Sequence, residues 1–353
     1  MNLDDIAYFT ELDSRNLLAE IDGLPDQLRE TWALSQSIEL PPWEGIARVL
    51  LVGMGDSAIG AEILLGYIAP HCLVPVTLVR NYELPAWANG PETLVICSSY
   101  SGSTEETLSA FRNALAKGCQ VLVITTGGEL AAEALESRAG LWIFNNHNQI
   151  GITVGCTFGR LLAVFARLGL IANPEDELAG AIAAMRLQQR HLLADVPVAE
   201  NPAKRLAGQC LGRVVVIFAA DFLVPVARYW QGQISTFAMN WAQSEELPEA
   251  DHNTMAGVLN PEPVLSNLFT LFLRADHYHP RNLIRTNLTK DSLMLEAIGT
   301  DFFEAPGRNQ LEQIWTALHF GDYMAYYLAM AYGVDPSGSN AVQGLKMRMK
   351  MMD

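Results

Sequence analysis

The chain has 353 residues, of which 50% are hydrophobic and 18% charged, with a formal net charge of −16; that is length enough for two domains of ordinary size. The acidic balance argues against nucleic acid or an anionic membrane as a partner, so an anion bound here must be met by local donors. No apolar run reaches membrane-spanning length, and Met1-Asn2-Leu3-Asp4-Asp5 lacks the basic-then-apolar pattern of a signal peptide, so a cytoplasmic location is expected.

From the N-terminus, residues 13–33 place Leu17, Leu18, Ile21 and Leu24 at helical spacing and predict an amphipathic lead helix or helix pair. Residues 48–52 form a short β-rich run ending in Gly53, and 55–68 predict a helix. Strands are expected at 74–79, 94–97, 121–125 and 140–144, with a helix at 107–117. Strands alternating with helices predict a parallel, doubly wound sheet covered on both faces. Residues 171–195 turn helical and charged, as a connector between domains would. The pattern then restarts with a strand at 214–218, a helix at 222–236, a strand at 268–273, a helix at 281–297, a strand at 300–304 and a long helix at 310–332. A tail at 342–352 carries Lys346, Arg348 and Lys350 and predicts a final helix. The organisation is therefore a helical lead (1–35), a first α/β domain (36–170), a connector (171–195), a second α/β domain (196–336) and a tail helix (337–353). The five cysteines, Cys72, Cys97, Cys119, Cys156 and Cys210, form no CxxC pair and sit mostly in apolar runs, which predicts buried free thiols.

Three stretches carry chemistry. Ser98-Ser99-Tyr100-Ser101-Gly102-Ser103-Thr104-Glu105-Glu106-Thr107 crowds hydroxyls and a glycine where a strand hands over to a helix. Free N–H groups and the helix dipole favour an anion there, and Ser99, Ser101, Ser103 and Thr104 add neutral donors. A serine-rich helix cap with no ligand is the other reading. Gly53-Met54-Gly55-Asp56-Ser57-Ala58-Ile59-Gly60 is a second such turn, whose glycines let a backbone approach a ligand closely or simply make the turn tight. Its spacing is not the dinucleotide fingerprint. Asp56 would repel a phosphate dianion unless it points away. Both turns fall at strand C-termini, where open α/β sheets bind ligands. Glu245-Glu246-Leu247-Pro248-Glu249-Ala250-Asp251-His252-Asn253 reads as a loop. Its acids are placed to raise the pKa of His252 and orient its ring, although a loop histidine is often only solvated. No HxxxH or HxH partner accompanies His252, so neither metal nor other cofactor is expected.

Together these stretches resemble the bifunctional phosphoglucose/phosphomannose isomerases of the sugar isomerase (SIS) superfamily. The resemblance runs nearly end to end, through Arg80-Asn81-Tyr82-Glu83-Leu84-Pro85, Gly321-Asp322-Tyr323 and Val334-Asp335-Pro336 as well. It implies two SIS domains, each a three-layer α/β/α sandwich. It implies a homodimer with active sites at the interface, and interconversion of glucose or mannose 6-phosphate with fructose 6-phosphate. Gly55 lies in the first of its phosphate turns, and Ser57, Ser99, Ser101 and Thr104 match the sugar-phosphate binders. His252 matches the ring-opening histidine, contributed by the other subunit, and Lys346 a lysine at the substrate.

The chain departs from the family pattern at several site positions. Thr236 stands where the family has its glutamate base, and Met239 where it has a lysine. Gly151 stands where an arginine stabilises the enediolate. Gln231 replaces a lysine after Trp230, and Asp56 replaces a glycine. A positioned base contributes about 10²–10⁴-fold to such a reaction, and charge stabilisation about 10²–10³-fold. Two readings follow. One is a phosphosugar isomerase, with Glu245 or Glu246 as conceivable substitutes for the base. The other is a non-catalytic or regulatory sugar-phosphate-binding relative.

Overall fold

The computed structural model describes residues 2–144, 152–338 and 340–351. They form two compact units, Asp26–Asp176, and Met1–Pro25 together with Glu177–Asp353.

In the unit Asp26–Asp176 the strands are β1 (Arg48–Val52), β2 (Val76–Val79), β3 (Thr93–Ser99), β4 (Gln120–Thr125) and β5 (Gly140–Ile143). Their order is β2-β1-β3-β4-β5, and every neighbouring pair is parallel. β3 lies in the middle and is buried along its whole length, as the near-continuous apolar run of a doubly covered strand requires. Leu50, Val95, Val123, Leu108, Phe111 and Leu130 form part of one core cluster. The connection from β1 leads one way across the sheet to β2, and that from β3 the other way to β4. The crevice between the C-terminal ends of β1 and β3 is therefore a topological switch point, the general ligand position of such sheets. Helix Asp56–Ile68 begins there after β1, and helix Glu105–Ala116 after β3. Helix Val154–Arg167 packs beside helix Asp56–Ile68. The close approach depends on Gly60, where an added Cβ would fall 2.9 Å from Thr157 Cβ.

In the other unit, β6 (Val214–Ala220), β7 (Ala242–Leu247), β8 (Leu268–Arg274) and β9 (Gly299–Glu304) form a parallel sheet in the order β7-β6-β8-β9. Helix Gln310–Tyr332, buried from Leu311 to Met330, is its central support. The predicted lead at 13–33 is a helix pair, Leu17–Asp22 and Leu24–Ser35, preceded by a further short helix, Ile6–Leu12. One sequence expectation is corrected. Part of the stretch read as a loop at 245–253 is β7 itself. As an edge strand, β7 tolerates Gln243, Ser244, Glu245 and Glu246 because its outer side faces solvent. Among the described residues no helix is long and apolar enough to cross a membrane. All five cysteines are free thiols, with Cys97, Cys156 and Cys210 buried.

One buried group makes the stability of this unit depend on pH. His319 is fully buried on helix Gln310–Tyr332, and its Nε2 lies 2.9 Å from the Ile21 carbonyl. Burial pulls its pKa down to about 4, against the smaller opposing effect of that hydrogen bond. Unfolded, the imidazole titrates near its ordinary value of about 6.5. Between those values the unfolded state binds more protons, so stability falls as pH falls through the window, by about 3 kcal/mol in all. Urea unfolding from pH 7.5 to 4.5 should show this loss, and His319→Gln should flatten it. An equally steep H319Q profile would assign the loss to other groups.

Candidate functional site

The hydroxyls of the serine turn are held at the C-terminal end of β3. Ser99 is buried, and its Oγ lies 3.0 Å from Thr104 Oγ1 and accepts from the Gly102 N–H at 3.2 Å. The Ser103 N–H donates to Ser101 Oγ at 3.3 Å. Thr104 occupies the N-cap of helix Glu105–Ala116 in an extended conformation, yet its side chain makes no capping bond. The first-turn N–H groups of that helix are therefore not served by the residue that usually serves them, which suits an external anion. Thr126 donates from both its N–H and its Oγ1 to the Tyr100 carbonyl, at 3.3 and 2.6 Å, locking the turn to the end of β4.

The first glycine turn lies alongside. An added Cβ at Gly53 would sit 3.0 Å from the Ser98 carbonyl oxygen, so the two turns touch. Gly55, at φ +54°, caps helix Asp56–Ile68, and Ser57 is buried in its first turn. Asp56 at the start of the helix is stabilised by the helix dipole. Thr153 Oγ1 donates to its Oδ2 at 3.2 Å, which ties this carboxylate to the N-cap of helix Val154–Arg167.

The sequence reading missed Arg160. It lies on helix Val154–Arg167 and is only 6% exposed. Its Nη1 donates to the Cys156 carbonyl at 2.9 Å, and its guanidinium carbon lies 3.6 Å from the centroid of the Phe144 ring. Burial pulls its pKa below the ordinary guanidinium value. No ion pair forms on it among the described residues. Its only sequence signal was an arginine inside an otherwise apolar helical run, Val154-Gly155-Cys156-Thr157-Phe158-Gly159-Arg160-Leu161-Leu162.

In the other unit, His252 ends the short 3-10 turn Glu249–His252, after β7, and is exposed. The neighbouring acids fasten the turn and make no hydrogen bond to the His252 ring among the described residues. Asp251 accepts from Arg285 Nη1 at 2.8 Å and from Thr289 Oγ1 at 2.7 Å. Asn253 Nδ2 donates to Glu249 at 3.1 Å, and Thr254 Oγ1 to Glu245 at 2.9 Å. Thr236 is exposed in the last turn of helix Val224–Phe237. That helix runs antiparallel to β7. Ser244 Oγ donates to Gln231 at 2.7 Å, and Arg228 faces Glu246 at 3.9 Å. Asn240 Nδ2 reaches the Arg213 carbonyl just before β6. Position 236 is thus at the N-terminal edge of the sheet, and His252 at the C-terminal edge, with Glu245 and Glu246 toward the His252 end. Lys346 falls in helix Asn340–Lys350; its side chain and Gly151 lie outside the described residues. Among the described residues no group of three or more His, Cys, Asp or Glu is arranged to hold a metal.

Two parallel α/β sheets, the first with a hydroxyl-lined turn at its switch point, define a two-domain protein of the SIS type. A glucose-6-phosphate isomerase-like protein from Thermus thermophilus shares the fold, with a TM-score of 0.62 at 19% identity over 97% of this chain and 99% of that one. The Bacterial phospho-glucose isomerase C-terminal SIS domain family matches residues 199–349. A bifunctional phosphoglucose/phosphomannose isomerase from Caldicellulosiruptor bescii is 31% identical over 335 residues, covering 94% of this chain and 98% of that protein. One from Aquifex aeolicus is 28% identical over 88% of this chain and 92% of its own length. The chain belongs to the bifunctional phosphoglucose/phosphomannose isomerase family.

Proposed function

We propose that the protein is a sugar-phosphate aldose–ketose isomerase, interconverting glucose or mannose 6-phosphate with fructose 6-phosphate through an enediol. The hydroxyl-lined turn at the switch point of the first sheet carries this reading: it offers neutral donors and a helix N-terminus suited to a phosphate dianion in an acidic protein. In this proposal Ser57, Ser99, Ser101 and Thr104 hold the phosphate, with the Gly55 turn against it. His252 opens the sugar ring and Lys346 lies at the substrate. The two SIS domains are residues 36–170 and 196–336. The protein acts in the cytoplasm, in keeping with its free thiols. It works as a homodimer whose sites each combine a phosphate turn with the partner subunit's His252.

Incubation with glucose or fructose 6-phosphate in D₂O, followed by NMR, tests the reading. Deuterium should enter at C1 and C2, and His252→Ala should slow its entry from the cyclic sugar by about 10²-fold or more. Sugar phosphates should also raise the melting temperature. Stabilisation without any exchange would overturn the isomerase reading in favour of a binding protein.

A further inference from the structure

We infer that Arg160 is a catalytic residue of this site, its guanidinium pairing with the enediolate oxygen of the sugar. The inference rests on the isomerase reading above. Its physical basis is a buried cation with no counter-ion among the described residues. A guanidinium removed from water is costly unless an anion meets it. Arg160 has a carbonyl and an aromatic face as partners, but no carboxylate among the described residues. The sequence that follows Phe144, Asn145-Asn146-His147-Asn148-Gln149-Ile150-Gly151, contains no acid either. In a chain of formal charge −16 acids abound, yet among the described residues none pairs with Arg160.

Position selects which anion Arg160 meets. Ser99 pairs with Thr125, and Thr125 with Ile143, so the three form one row across the C-terminal ends of β3, β4 and β5. Phe144, which carries the guanidinium on its face, is the next residue along. Two strand spacings, about 10 Å, therefore separate the serine turn from the strand end beneath Arg160. The Phe144 ring in turn meets the Tyr100 ring, with centroids 6.1 Å apart. With the phosphate on the serine turn, Arg160 addresses the far end of the substrate, where the reaction develops its second negative charge. There the base takes the C2 proton of the open-chain aldose, the C–H electron pair forms the C1=C2 bond, and the C1=O π pair moves to O1. Return of the proton to C1 by the C1=C2 electron pair, with the O2 proton transferred to O1 as the C2=O2 bond forms, gives the ketose. A cation at O1 and O2 stabilises the intermediate while leaving the phosphate to the hydroxyls.

Two ligands separate this role from a structural one. 5-Phospho-D-arabinonate presents a carboxylate in place of the enediolate; D-glucitol 6-phosphate keeps the phosphate but is neutral at that end. Calorimetric titration of the full chain should show the wild type binding the arabinonate about 10-fold or more tighter than the glucitol. Arg160→Gln should lose about 10²-fold in affinity for the arabinonate and in turnover, with glucitol affinity nearly unchanged. Arg160→Lys, which keeps the charge, should fall between. Equal weakening of both ligands in R160Q, or no weakening, would overturn the proposal. Should R160Q not fold, the wild-type preference and its reduction in R160K decide, and equal affinities in the wild type overturn it. Binding of neither ligand would overturn the isomerase reading as well, whereas binding of both alike would leave that reading standing.

Discussion

Gly102→Ala is expected to abolish sugar-phosphate binding and to destabilise the first unit by about 3 kcal/mol or more, the range of the severe point mutations. Gly102 has φ +64°, and a Cβ built on it would lie 1.8 Å from the Gly127 carbonyl oxygen, 2.7 Å from the Gly127 carbonyl carbon and 2.9 Å from Thr125 Oγ1. The nearest obstacles are backbone atoms, which cannot swing aside as a side chain can. They are also pinned: the Leu130 N–H donates to the Gly102 carbonyl at 2.8 Å, and a Cβ at Gly128 would lie 2.5 Å from the Ser101 carbonyl. The serine turn and the turn after β4 are thus interlocked backbone against backbone. A methyl group must push the serine turn off the place where Ser99 and Thr104 face each other. Gly118→Ala supplies the control. Gly118 has a similar φ of +68° with nothing within 4 Å of the added Cβ, so it should cost only the conformational penalty of about 1–2 kcal/mol. Calorimetric melting with and without glucose 6-phosphate distinguishes the two. A G102A protein that melts with G118A and keeps its ligand shift would show that the turn is not interlocked.

The strength of this prediction illustrates what the sequence made legible. Alternating apolar runs and amphipathic stretches located every strand of the first sheet, because its central strands β1, β3 and β4 are buried almost throughout and are written mainly in Val, Leu and Ile. The serine turn was equally legible as a strand-to-helix turn, since its hydroxyls and glycine lie within a few consecutive residues, Ser99 to Thr104. Features that depend on partners distant in sequence were not legible. β7 reads as loop because an edge strand needs no apolar run, and only its parallel pairing with β6 defines it. Asp56 reads as a repulsive charge in the turn, and its bond to Thr153, far along the chain, could not be foreseen. Arg160 was missed for the same reason. Nothing adjacent in sequence announces that its guanidinium lies on Phe144 without an acid. The acids beside His252 misled in the opposite way: adjacency in sequence suggested contact, while their oxygens turn to Arg285, Thr289, Asn253 and Thr254.

Mixing two inactive variants should restore about a quarter of wild-type activity if each site combines elements of two chains. One parent is Ser99→Ala/Thr104→Val, which removes phosphate donors; the other is His252→Ala. Random pairing makes about half the dimers mixed, and each mixed dimer holds one intact site and one doubly damaged site. The expectation of a shared site has a geometric argument within one unit. Position 236, which the resemblance sets opposite the family's base, and His252 lie at opposite ends of β7. Its six residues span about 20 Å at about 3.3 Å each, well beyond the length of a hexose phosphate. In a site that keeps the family's placement of groups at these two positions, they can meet one substrate only if they come from different chains. Co-expression with distinct affinity tags, followed by isolation of the mixed species, gives the measurement. Mixed dimers about half as active as wild type are the expected result. Mixed dimers no more active than either parent would mean that the phosphate turn and His252 of a single chain build the site, and would remove the shared-site arrangement while leaving the phosphate turn in place.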